Sequence, residues 1–346
     1  SAVTALGTAQ VQALSTGQVQ AITTANVTAL SSTQVAALTT SQVSVLSTSQ
    51  VVALETSDIA ALSTSQVVAL TTAQVNVLAT AKVAALSTAQ INKLSTTQAA
   101  ALTAGQANAL TTRQVQALTT DDVKVLATDA VANMTTAQLS VLTTAQFAVL
   151  SNDQIGGLTT TQTVSLTADQ ITGMSTSQAA GLSTTAVAAL TSTQVQALTT
   201  AQMAAMTTGQ VQTLTTANLA LLANDRLNAL TTANMAALTT SQAAALTTGQ
   251  IAGLSTTNVK AMTTDQVAAL TTRQLSVMTT AGVAILGTDQ VVALTTAQAA
   301  VLSADQVAQL SSTQAAALET ADLAAIEPPF LSSFPHWPPL GIARAL

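Results

Sequence analysis

No cysteine occurs among the 346 residues, which removes disulfides, thiol nucleophiles and thiolate metal sites together. Tyrosine is missing too, and the chain has one tryptophan, three phenylalanines and one histidine. Charge is scarce, at 6% of residues, and the net charge is −6. Eight scattered basic residues make no basic stripe of the kind that nucleic acid requires. No window holds about eighteen consecutive apolar residues, so no membrane span is expected. No signal peptide is visible, and the chain opens on Ser1, as a processed product or a fragment would. A cysteine-free chain rich in Thr, Ser and Gln suits a secreted bacterial protein. Proline is absent until residue 328.

What is present is an eight-residue phrase, as in "VAALTTSQVSVLSTSQVVAL" at residues 35–54. Every eighth residue from Leu6 to Ile326 is Leu, Ile or Met, without one shift of frame. The position three residues earlier is Val or another apolar residue, and Thr163 is its one polar exception. Written from the turn, the unit is [S/T]-T-x-Q-V-x-A-L.

A continuous helix does not fit this period. Eight residues at about 100° each turn the Leu stripe by roughly 80° per repeat, so the stripe would circle the helix. A strand fails because residues three apart point to opposite faces. A short helix broken once per octad fits, because Val and Leu at i and i+3 then share a face. The break carries a capping box: in Thr39-Thr40-Ser41-Gln42 the hydroxyl takes the N3 amide and the Gln side chain returns to the N-cap amide. Such a cap contributes about 1 kcal/mol, which counts in helices too short to stand alone.

The acids test this assignment independently. All fourteen Asp and Glu fall in the first four octad positions, where a helix N-terminus favours negative charge. The seventh position is mostly Ala or Gly, which lets neighbouring coils approach, and the variable sixth is expected to face solvent. Proline never occupies N1, where it is ordinarily welcome, which implies that the N1 amide contacts a neighbouring turn. One octad cannot bury its own Val and Leu, but stacked octads can. The expected fold is therefore all-α, a solenoid or superhelix of short capped helices over residues 1–326, with a β-solenoid as the alternative. Octads per turn are not readable. Two to four, with helix layers roughly 8–10 Å apart, give a rod on the order of 80–200 Å long.

From Glu327 the period stops in "EPPFLSSFPHWPPLGIARAL". Three readings of this tail stand: a disordered end or artefact, a docking segment, or a Pro-rich ligand for an SH3-like groove. In the second, Phe330, Phe334 and Trp337 are the self-assembly contacts, because clustered aromatics are common interface anchors. His336 sits among prolines with no acid close by. Asp121, Asp122 and Asp129 lack the ligand density of calcium loops and read as helix-start acids. Met134, Met174, Met206, Met262 and Met278 occupy Leu positions and read as core. Lys82, Lys93, Lys124, Lys260, Arg113, Arg226 and Arg273 read as solvated surface. No Ser has the His and Asp partners of a nucleophile, so no enzyme, cofactor, metal or small-molecule substrate is expected.

Octads such as "ALTTAQ" at 197–202 and "ALTTSQ" at 237–242 resemble the runs in very long repetitive bacterial proteins described as adhesin-like or haem-utilisation proteins. The resemblance spans residues 1 to about 326 and implies a secreted or cell-surface structural role. It carries over no functional residue, and no repeat offers His, Cys or Tyr to haem. The expected function is an extracellular rod that polymerises head to tail with itself or forms part of a filament, sheath or adhesin stalk. The alternatives are an ice- or surface-binding protein using rows of Thr (Thr40, Thr48, Thr56, Thr64, Thr72) and a length-determining spacer in a larger assembly.

Overall fold

The computed structural model describes residues 2–326. Among these residues there is no strand: a 3-10 turn at Ala2–Ala5 precedes forty short α-helices, one per octad. The helical solenoid expected from the period is what forms, and the β-solenoid is not supported.

One octad shows why. Helix α13 (Ala104–Ala109) begins at Thr103, whose extended backbone (φ −72°, ψ 161°) lets its hydroxyl accept from the Gln106 amide. The Gln106 Oε1 accepts from the Thr103 amide at 2.9 Å, closing the capping box. The helix ends where Leu110 turns extended (φ −59°, ψ 137°) while its amide still donates to Ala107 O. Thr111, the next N-cap, is extended as well (φ −70°, ψ 158°). Two consecutive extended residues thus form the whole link between helices. No described residue has positive φ, so these C-caps do without the left-handed glycine that commonly ends a helix.

The chain divides into two compact units, Ser1–Leu182 and Ser183–Leu346. In the first, each helix packs against the third one ahead: α4 (Ser32–Ala36) on α7 (Thr56–Ala61), α10 (Thr80–Ala85) on α13, and α19 (Asn152–Gly156) on α22 (Thr176–Gly181). The second unit repeats the rule, with α23 (Thr184–Ala189) on α26 (Thr208–Thr213) and α37 (Thr296–Ala299) on α40 (Thr320–Ala325). Hydrogen bonds tie most helices to the fourth one back as well, as when Gln42 in α5 (Thr40–Ser44) reaches Leu14 at the end of α1 (Thr8–Ala13), 28 residues earlier. A turn of the superhelix in each unit therefore takes between three and four octads.

The core is the expected ladder. Val51, Val67, Val115 and Val195 are fully buried, and the Leu positions from Leu30 onward are nearly so. The fifth octad position admits Ala99 and Phe147 alike, both fully buried. Thr163 is buried in this row with its hydroxyl donating to Thr159 O at 3.0 Å, which satisfies the one polar group there. The sixth position faces outward, with Val52 54% and Val164 46% exposed.

Candidate functional site

The repeated site is a seam between coils, built around glutamine. At the fourth octad position the side chain has two jobs. Its Oε1 completes the cap of its own helix, and its Nε2 donates to backbone carbonyls of the preceding coil. Gln98 Nε2 lies 2.7 Å from Leu70 O and 2.8 Å from Val67 O. In the second unit Gln242 Nε2 lies 2.7 Å from Leu214 O and 2.9 Å from Val211 O. The Leu carbonyl is the one left open where the helix turns extended, so the amide answers an orphan acceptor. These glutamines are buried, and among the described residues no buried side-chain N or O lacks a partner. Each such bond contributes about 1 kcal/mol, repeated along the stack.

The exceptions identify what the position requires. Of the forty helices, twelve lack Gln there. Asn218 and Asn234 still donate, to Leu190 O at 2.8 Å and Met206 O at 2.7 Å, although each forgoes the return half of the cap. Arg226 Nε donates to Leu198 O, and Lys82 Nζ lies 2.7 Å from Val52 O. Lys82 is buried and Arg226 half-buried, which corrects the expectation that both are solvated surface. A lone cation in a charge-poor chain ordinarily faces water, but here octad position decides, and the carbonyls of the preceding coil take the place of water.

Around Lys82 the seam becomes ionic. Burial pushes the Lys82 ammonium below its ordinary value, and the nearby Glu55 and Asp58 carboxylates oppose that shift. Asp58 occupies a glutamine position with no donor to offer. Its oxygens accept instead from the Glu55 amide and from the Ser32 hydroxyl, both at 2.8 Å.

The N1 amides form no hydrogen bond to a neighbouring coil among the described residues, which corrects the reading of the missing prolines. What N1 offers the next coil is a methyl: the Thr80 Cγ2 would lie 3.8 Å from a Cβ placed on Gly105. The N-cap hydroxyls are engaged in caps, as at Thr39 and Thr71. At N1, Thr40, Thr48, Thr56 and Thr72 are exposed and Thr64 is half-buried. With a non-integral number of octads per turn these threonines are staggered from coil to coil, which disfavours a flat hydroxyl lattice.

Asp121, Asp129 and Asp153 lie in first helical turns, as the capping argument expects. Among the described residues no group of three or more His, Asp or Glu is placed to hold a metal ion, and no helix is long and apolar enough to cross a membrane. Phe330, Phe334 and Trp337 lie outside the described residues.

The glutamine donor role is the feature that reading the sequence as a capping box missed. A capping box takes Glu or Gln at N3, yet no Glu stands at this position anywhere in the chain. That one-sided choice is the signal that the amide N–H has work beyond the cap. A family model described as the ALTTAQ repeat fits overlapping stretches of the chain, from residues 19–56 through 115–152 and 177–208 to 259–304. No curated protein and no solved structure matches the chain.

Proposed function

Because the chain belongs to the ALTTAQ repeat family, and because one seam recurs through both units, we propose that it is a structural protein: an extracellular, self-assembling rod of a bacterial surface. The repeat-only, all-α architecture fits a structural part. The observation that carries the reading is the glutamine seam. Most octads use their fourth-position side chain to hold the coil behind, which fits a part whose task is to keep its geometry. The rod is a segment of a filament, sheath or adhesin stalk, and the partner is a second copy of the same chain joined head to tail. Such a heterologous contact propagates into open filaments. Residues 327–346 serve as a latch, with Phe330, Phe334 and Trp337 as its anchors.

Negative-stain electron microscopy of the purified full chain tests this. Filaments, or rods joined end to end, are expected, and deletion of residues 327–346 is expected to shorten them. Isolated particles at every concentration would refute the assembly reading. Undiminished filaments in the truncated chain would refute the latch alone.

A further inference from the structure

We propose that helix α28 (Asn224–Asn228) is a register key, which fixes the octad of the next coil that packs on it in a chain whose octads are otherwise nearly interchangeable. The inference goes beyond the assembly reading and does not rest on it.

Interchangeable octads leave the register open. If one coil slides on the next by a whole octad, Thr, Gln and Ala meet the same partners again, so the glutamine bonds alone do not select one pairing. The octad at residues 223–230 reads "ANDRLNAL" and carries Asn at its N1 and sixth positions. Both asparagines are answered about three helices ahead. Asn224 Nδ2 donates to Gly249 O at 3.2 Å in α31 (Thr248–Ala252), and a Cβ placed on Gly253 would overlap that same side-chain amide. Glycine fills the seventh position in four of the forty octads that form helices. The other N1 asparagine, Asn152, faces a second of these four: a Cβ on Gly181 would lie 3.4 Å from the Asn152 Cβ and O.

Asn228 makes the more selective contact. Its Nδ2 donates to Gly253 O at 2.7 Å, and its Oδ1 accepts from the Ser255 amide at 2.8 Å. Ser255 is the N-cap of α32 (Thr256–Ala261), whose fourth-position Asn258 does not make the return half of the capping box. Asn228 supplies that half from the coil behind. Asn218 and Asn234 also stand at the fourth position, and there the Thr215 and Thr231 amides find no such acceptor among the described residues.

A slip of one octad undoes both contacts. Ala245 or Ala261 would replace Gly253 opposite Asn224. Asn228 would meet the Thr247 or Thr263 amide, each already donating to its own glutamine, Gln250 or Gln266, at 2.8 Å. The Ser255 amide would lose its acceptor. The native register is thus favoured by a steric fit and by a bond that neither neighbouring octad can replace.

Hydrogen exchange of the full chain, read by mass spectrometry, tests the key. One octad, "TTAQVAAL", is inserted after Leu238, inside the span from Asn224 to Asn258, or after Leu270, outside it. The inside insertion separates Asn228 from Ser255 and is expected to speed exchange across residues 253–262 at least about fivefold for the lost bond. The outside insertion is expected to leave that stretch as in wild type. In a background returned to the common octad by Asn224→Thr, Asn228→Ala, Gly253→Ala and Asn258→Gln, the two insertions are expected to behave alike. Should the inside insertion prevent folding, recovery in that background supports the key and failure there overturns it. Equal exchange for the two insertions in the native background, or a difference that persists in the returned one, also overturns it.

Discussion

Gln106→Glu separates the two jobs of the seam glutamine at an interior octad. Gln106 is 1% exposed. Its Oε1 accepts from the Thr103 amide at 2.9 Å, and its Nε2 donates to Val75 O and Leu78 O, each at 2.8 Å, and to Asn76 O at 3.2 Å. A glutamate in the same rotamer keeps the cap but turns a carboxylate oxygen toward these carbonyls. The variant loses a hydrogen bond and leaves charge and carbonyls unpaired away from water, together about 3 kcal/mol at neutral pH. Burial against carbonyl oxygens pushes the new carboxyl above its unfolded value of about 4.3. Below that unfolded value both states carry the proton, and the acid O–H can donate to Leu78 O much as the amide does. The penalty is therefore absent in acid, grows as pH rises toward the raised folded value, and is constant above it.

Urea unfolding followed by circular dichroism at pH 4 and pH 8 checks this, with wild type measured alongside at each pH so that other titrating groups cancel. Gln106→Met, which removes cap and donor alike, should lose stability equally at both. A glutamate penalty that is the same at the two pH values, or missing at pH 8, would refute the donor role.

Three further outcomes follow from the same geometry. Lys82→Gln should raise the melting temperature at neutral pH, since it restores a seam amide and removes an ammonium whose charged form burial disfavours. Because that lysine is held below 10.5 in the folded chain, its cost is present at neutral pH and fades as pH approaches the unfolded value, so the margin should narrow in alkaline melts. Gly105→Ala meets only the Thr80 methyl at 3.8 Å inside a helix and should gain up to about 1 kcal/mol. Gly253→Ala should gain nothing, because its Cβ would overlap Asn224, whose amide donates to Gly249 O at 3.2 Å; parallel thermal melts of the two variants decide it.

Helix starts were legible because their chemistry is local. The N-cap hydroxyl, the first-turn acids and the i, i+3 pair of Val and Leu all lie within one octad, and the structure places each where those rules demand. The number of octads per turn was not legible, because it is fixed by contacts with the third and fourth neighbouring helices, far outside any local window. Lys82 and Arg226 were misread for the same reason. Their acceptors, Val52 O and Leu198 O, stand 30 and 28 residues earlier, and nothing beside either residue announces that it points inward. The tail is legible only as a change of material.

The seam also accounts for the one feature that composition does not, the absence of any insertion between Leu6 and Ile326. A substitution at the fourth octad position affects one helix and one donor, and twelve of the forty helices carry such a change. An inserted residue acts differently. Every bond that spans it, at separations of 28 and 31 residues, must then bridge one residue more, and between three and four octads' worth of fourth-position side chains span a point inside either unit. At about 1 kcal/mol for each side chain's bond to the Leu carbonyl alone, a single insertion forfeits roughly 3–4 kcal/mol before any loss of Val and Leu packing is counted. Whole octads, by contrast, enter or leave the frame without moving a donor from its acceptor. The chain is therefore free to vary residue by residue and in steps of eight, and resists every other change of length.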